Sequence, residues 1–328
     1  MIEHTGLGSL PGTDFGQALR TAFELEFPYL PELPSRGPWA GMIGRGLGVA
    51  SGLPAQYEAG QWRLAPTAGI DLRRARVTLR DDLDQLEETA AGFSGRCKTQ
   101  VAGPWTLAAS TMAQHTVRVL ADPGARRDLG QALAAGVRDL LVEVKRRLPG
   151  AQLVLQIDEP SLPAVLAGAI ATPGGFFRHR AIDLPEASDA LALLTEVAHD
   201  EGAQAVVHCC APGLPVAAMT GPAGFDGVSL DQDQFSAGDY EALAQTAEAG
   251  RQLWLGCLPT NDPSVLPSVD QLRQRVLGVV ERIAVNDLAG RLVLTPACGL
   301  AGFPTQSVKE VFRRLGRAAS QVSAELAE

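Results

Sequence analysis

Ala203-Gln204-Ala205-Val206-Val207-His208-Cys209-Cys210 is a short apolar run that stops on an imidazole and two thiols. Its length and β-branched content suit a buried strand better than a helix. The same figure returns twice further on. Gly227-Val228-Ser229-Leu230 closes on Asp231, and Leu292-Val293-Leu294-Thr295-Pro296-Ala297 is followed by Cys298. With further candidates at 2–8, 40–44, 98–103, 152–158 and 252–257, this makes eight strand candidates in chain order. Helical patterns lie between most of them, so the strands are expected to run parallel. The reading is a single (β/α)8 TIM barrel, with residues 1–328 as one domain. Such barrels gather the carboxyl ends of their strands on one face, where their chemistry is done.

Helices are expected at 14–26, 81–96, 128–148, 186–200, 237–249, 270–285 and 305–325. The first carries Phe15, Ala18, Leu19, Ala22 and Phe23 at helical spacing, and the second opens on acidic residues suited to a helix's positive end. The third ends in Lys145-Arg146-Arg147 before Pro149-Gly150. Residues 27–80 are rich in Pro, Gly and Arg and read as an elaborated loop over the site or as irregular structure. No repeat, low-complexity tract or linker divides the chain.

The 328 residues carry a formal net charge of -9, with 46% hydrophobic and 20% charged residues. That is an ordinary soluble composition, and the acidic balance argues against a nucleic-acid surface. The basic runs Arg73-Arg74-Ala75-Arg76 and Lys145-Arg146-Arg147 lack interleaved aromatics and read as solvated faces. The start, Met1-Ile2-Glu3-His4-Thr5-Gly6, is unlike a signal peptide, and no stretch is apolar enough to span a bilayer, so a cytoplasmic location is expected. Five cysteines, an odd number, point to metal or catalytic use rather than a disulfide framework.

His208, Cys210, Asp231 and Cys298 together make a borderline-soft donor set suited to zinc. His208 and Cys210 are two apart, so an extended chain puts both on one face and turns Cys209 to the other, where a thiol packs as a small apolar group. Each residue also has a plainer use: a satisfied polar histidine, a structural cysteine, an aspartate that caps the next element. Their joint appearance at strand ends is what favours a metal. Cys257 and Cys97 read as packing. Gln156-Ile157-Asp158-Glu159-Pro160 puts two carboxylates at another strand end. Only one can face inward, where it could hold a substrate ammonium, while the other orients loops.

These motifs resemble those of the catalytic carboxy-terminal barrel of cobalamin-independent methionine synthase. A more distant likeness is to uroporphyrinogen decarboxylase-like barrels and corrinoid-dependent thiol methyltransferases. The likeness spans nearly the whole chain but concentrates in His-x-Cys at 208–210, Cys-Gly-Leu at 298–300 and Gln-Ile-Asp-Glu-Pro at 156–160. Gly8-Ser9-Leu10-Pro11 is similar to the family's Gly-Ser-Phe-Pro, and Val101-Ala102-Gly103-Pro104 to its Thr-Gly-Pro turn. The resemblance implies one Zn2+ per chain on His208, Cys210 and Cys298, with Asp231 where the family has a glutamate ligand. It also implies homocysteine as the thiol substrate, its carboxylate at Ser9 and its amino group at Asp158, and methyl transfer to sulfur.

The sequence departs from the family on the donor side. The folate-holding tryptophan falls near Ser110, the acid beyond Asp-Glu-Pro is Ala164, and the proton-donating histidine falls near Asn261. A methyltetrahydrofolate donor needs an acid for its amine leaving group, and Asp262 is the neighbour that could replace it. A methylcorrinoid donor needs none, because cobalt keeps the electron pair; a corrinoid carrier protein would then be a partner. Two rival readings are a zinc-binding barrel without methyl transfer and a uroporphyrinogen decarboxylase-like enzyme, for which Arg36 and Arg45 are the candidates to grip propionates.

Overall fold

The computed structural model describes residues 2–114, 117–285 and 288–327. Its strands, in chain order, are β1 (Glu3–His4), β2 (Ala55–Glu58), β3 (Gln61–Leu64), β4 (Ser94–Ala102), β5 (Met112–Gln114), β6 (Val117–Arg118), β7 (Gly150–Asp158), β8 (Gln204–Cys209), β9 (Gly227–Asp231), β10 (Gln252–Leu258) and β11 (Leu292–Pro296). Seven of them form one parallel sheet in the order β1-β11-β10-β9-β8-β7-β4. Each crossover carries one or more helices, which is the α/β arrangement the alternating pattern predicts.

Among the described residues a closed eight-stranded barrel is not formed. Seven of the expected strands are present, but 40–44 is not a strand: it leads into the helix Met42–Val49. The glycines that suggested a loop there allow close packing instead. A Cβ on Gly44 would lie 2.1 Å from the Pro38 carbonyl oxygen, and one on Gly46 would lie 3.0 Å from Leu107. Between β4 and the chain after β1 runs Pro28-Tyr29-Leu30-Pro31-Glu32, paired through the isolated parallel bridges Tyr29↔Lys98 and Ser9↔Glu32. Leu30 N donates to Lys98 O at 2.9 Å and Leu10 N to Glu32 O at 2.8 Å. Pro28 and Pro31 have no N–H to give, so a continuous ladder cannot form.

The helix expected at 81–96 is Ile70–Thr89 instead. Asp81-Asp82 looked like an acidic first turn, yet Asp82 lies mid-helix, buried, accepting two hydrogen bonds from Arg36 at 2.8 and 2.7 Å. The remaining helices fall near their expected places: Phe15–Phe23, Pro123–Arg147, Leu184–Asp200, Ala237–Glu248, Val269–Ile283 and Val308–Glu325. Their starts follow capping chemistry. Asp14, Asp122, Asp183 and Ser268 each accept from the backbone N–H three residues on. The segment read as an elaborated loop contains the hairpin β2–β3, whose two-residue turn Ala59-Gly60 has φ of 49° and 80°. These strands join β5 and β6 in a second, four-stranded sheet.

The two faces of the main sheet bury different things. Leu153, Leu155, Ile157, Val207, Cys209, Val228, Leu253, Leu255 and Cys257 belong to the large apolar cluster shared with the helices. Cys97 is in the same cluster, so all three cysteines read as packing are buried in it. The opposite face starts with an apolar plug of Phe27, Val154, Val206, Trp254 and Val293. Phe27 meets Trp254 edge-on at 5.4 Å. Moving by twos toward the carboxyl ends, this face turns polar: Gln156 and Asp158 on β7, His208 on β8, Ser229 on β9. Among the described residues no helix is long and apolar enough to cross a membrane.

Candidate metal centre

Strand register brings the site together. Asp158 pairs with His208 across β7 and β8, and His208 pairs with Ser229 across β8 and β9. Residues opposite one another in a sheet share a face, so their side chains meet at the carboxyl edge. Cys210 follows β8 and Cys298 follows β11. The ligand atoms of His208, Cys210 and Cys298 all lie within 4.8 Å of one another. The two sulfurs are 3.6 Å apart, far beyond a disulfide bond.

His208 is 5% exposed, and its Nδ1 lies 3.0 Å from Ser229 Oγ. Its Nε2 is buried with no hydrogen-bond partner. A buried imidazole nitrogen without a partner is unfavourable, and a metal ion beside two thiols would satisfy it. An imidazole held through one nitrogen while the other faces the ligand cluster is how proteins orient metal-binding histidines. The donor set of one imidazole and two thiols therefore fits zinc. The closeness of Cys210 and His208 pulls the Cys298 thiol below its ordinary range, whereas Cys210 is pushed up by its pairing with Cys298 and by burial. Ser229→Ala removes the Nδ1 partner, so we expect about ten- to a hundredfold weaker zinc binding, measured by competition with a chelator.

Asp231, expected as the fourth ligand, is not brought into this cluster. It pairs with Gly256 at the end of β9, and its oxygens accept from Asp233 N at 3.0 Å and Gln234 Nε2 at 3.3 Å. It caps the short turn 232–234, the plainer use of an aspartate at a strand end. Ser9 is brought in. A Cβ added to Gly299 would lie 2.0 Å from Ser9 Oγ, so the hydroxyl rests against the residue after Cys298. Leu300 N also donates to Ser9 O at 2.8 Å.

The two carboxylates of the Asp-Glu-Pro motif divide their work. Asp158 faces inward, 7% exposed, with Oδ1 accepting from Gln156 Nε2 at 2.6 Å. Burial pushes its carboxyl up to about 7, against the opposing pull of the His208 and Lys98 side chains. Glu159 is fully buried and accepts from Trp105 N, Thr106 N and Thr106 Oγ1 at 2.7–2.9 Å. It thereby caps the helix Pro104–Ser110 and ties the Gly-Pro turn to β7.

Other polar residues of the interior carried no sequence signal beyond lying in apolar runs. Lys98, Gln100 and Glu32 are all buried near Asp158 or Ser9. Gln100 Nε2 donates to Glu32 Oε1 at 3.0 Å, and Arg45 Nε lies 3.3 Å from the same oxygen. Arg45 and Arg36 both face Asp82, at 3.7 and 2.7 Å. Their charges are thus met by Asp82 and Glu32, which removes them as ready grips for propionates. Of the acids near the missing proton donor, Asp262 is exposed and accepts from Ser264 N and Oγ at 3.0 and 2.6 Å. Those bonds lower its pKa.

Parallel strands carrying a His-Cys-Cys cluster at their carboxyl edge make a candidate metal site on an α/β fold of the barrel kind, here a curled seven-stranded half-barrel. The profile of the cobalamin-independent synthase catalytic domain matches residues 92–321, and the chain belongs to that family. The fold is similar to that of a B12-independent methionine synthase from Shewanella sp. W3-18-1, solved with selenomethionine. That similarity has a TM-score of 0.65 at 13% identity and covers 100% of this chain and 99% of that one. It is also similar to a methyltransferase from Methanosarcina mazei, with a TM-score of 0.53 at 16% identity, covering 100% and 96%. No curated protein sequence matches the chain.

Proposed function

We propose that this protein transfers a methyl group to the sulfur of homocysteine, giving methionine, at a zinc ion held by His208, Cys210 and Cys298. The observation that carries the reading is the convergence of those three ligand atoms within 4.8 Å around a buried, unpartnered His208 Nε2. Zinc bound there supplies the stabilisation that keeps an alkyl thiol deprotonated, and hence nucleophilic, near neutral pH. Ser229 holds the imidazole in the tautomer that leaves Nε2 free. Ser9 Oγ, beside Cys298-Gly299, takes the carboxylate of the amino-acid end, and Asp158, at the edge of β7, takes the ammonium. Fixing both ends of the acceptor presents its sulfur to the donor, an effect worth up to roughly 7–11 kcal/mol when alignment is complete.

Among the described residues three protein ligands converge, which would leave a position for the substrate sulfur without displacing a carboxylate. Asp231→Asn is accordingly expected to retain about one zinc per chain, the load implied by a single site; metal analysis after gel filtration checks this. The donor we favour is a methylcorrinoid. Asp262, the group offered to replace the missing proton donor, is exposed and held by Ser264 with a lowered pKa, which ill suits an acid. A corrinoid needs no proton on its leaving group, and a corrinoid carrier protein is the partner this choice implies. The test is methionine formation by zinc-loaded protein from homocysteine with methylcobalamin or methyltetrahydrofolate. Turnover with the first and none with the second supports the reading. Zinc-loaded protein that turns over neither, yet binds no homocysteine, contradicts it.

A further inference from the structure

Below Asp158 on the interior face lies a lysine shielded from solvent. Lys98, in β4, is 0% exposed, and its Nζ donates to Gln156 Oε1 at 2.8 Å. Its ammonium also lies 4.9 Å from the centre of the Tyr29 ring. An ammonium can only donate and a carbonyl can only accept, so the carboxamide of Gln156 is oriented from both ends. Lys98 takes its oxygen, and its Nε2 donates to Leu7 O at 2.9 Å and to Asp158 Oδ1 at 2.6 Å. One oxygen of Asp158 is thereby tied down. Among the described residues nothing hydrogen-bonds the other, and Asp158 keeps 7% exposure at the strand edge.

We infer that Lys98 is a positioning residue that acts through Gln156 to set the free oxygen of Asp158 for an α-ammonium group, so that the site selects amino-acid thiols over thiols lacking the amine. The inference rests on the role given above to Asp158. Lys98 cannot touch the substrate, because Gln156 and Asp158 stand between it and the strand edge. Its cation also balances the buried carboxylate. Without it the carboxamide has no partner for its oxygen and can turn that oxygen toward Asp158, where two acceptors repel.

The test compares binding of homocysteine with binding of 4-mercaptobutanoate, the same thiol acid without the amino group. Titration calorimetry is done on the zinc-loaded protein, on Lys98→Met and on the double variant Lys98→Met/Gln156→Met. The double variant removes both members of the Lys98–Gln156 bond together, so neither is left facing a lost partner, while Leu7 O and Asp158 Oδ1 lose a donor; thermal unfolding of each variant checks that it is folded. Homocysteine is expected to bind about ten- to a hundredfold more weakly in both variants, the range of a hydrogen bond to a charged group. Binding of 4-mercaptobutanoate should change by less than about threefold, with zinc content unaltered. Equal weakening of both thiols in the double variant, or weakening of neither, overturns the role of Lys98 while leaving the methyl-transfer reading standing. If the unaltered protein does not prefer homocysteine over the amine-free acid, the role of Asp158 fails and the inference falls with it.

Discussion

Cys298→Ser is expected to lower zinc from about one ion per chain to near none after gel filtration, since the affinity of such a site comes from its full donor set. The structure explains why one residue should matter so much. Cys298 follows β11, while His208 lies in β8 and Cys210 directly follows it, with β9 and β10 between in the sheet. The cluster closes across strands, and without Cys298 the remaining pair is a two-ligand edge. Serine is smaller by one atom type only, and the position is half-buried rather than packed, so folding should survive. Methyl transfer should fall by roughly a thousandfold or more, because the several kcal/mol that a Lewis acid contributes correspond to one decade per 1.36 kcal/mol. Metal analysis and a methionine assay on the same sample check both halves. A variant that loses metal but keeps its rate would separate the metal from the chemistry.

Asp158→Ala should act on the substrate and not on the metal. Asp158 has one oxygen bonded to Gln156 and the other free at the strand edge. If that oxygen holds the ammonium, its removal leaves a desolvated positive charge without a partner. Losing one member of a buried charge pair costs about 3–5 kcal/mol. The site is open at the edge, so the lower part of that range applies, which means a KM for homocysteine raised about a hundredfold. Zinc content should stay the same, as Asp158 is not among the clustered ligands. Steady-state kinetics over a wide homocysteine range decide it. A fall in kcat with unchanged KM would instead place Asp158 in the transfer step.

Much of this arrangement can be read from the chain, and the parts that cannot have physical reasons. Strands buried on both faces must be apolar throughout, so β7 to β11 stand out as runs, and the polar residues that end them stand out too. That is why His208, Cys210, Cys298 and Asp158 are visible without coordinates. Asp231 ends its strand in the same way, but a strand end does not say where a short carboxylate will turn, and this one is taken by the backbone of the next turn. Residues 40–49 mislead because 40–44 reads as a strand within a glycine-rich stretch, whereas the glycines make room for a helix to press on Leu107 and Pro38. Asp81-Asp82 mislead because burial beside Arg36 and Arg45 cannot be seen in a local pattern. Lys98 is hidden for the same reason: a charged residue in a strand gives no sign that its partners, Gln156 and Tyr29, come from elsewhere in the chain.

The most direct test of the central claim is X-ray absorption at the zinc edge of the loaded protein, with and without homocysteine. The account predicts two sulfur ligands and one imidazole nitrogen from the protein, rising to three sulfurs when homocysteine is added. A shell that contains no sulfur, or one that does not change on adding homocysteine, would contradict it.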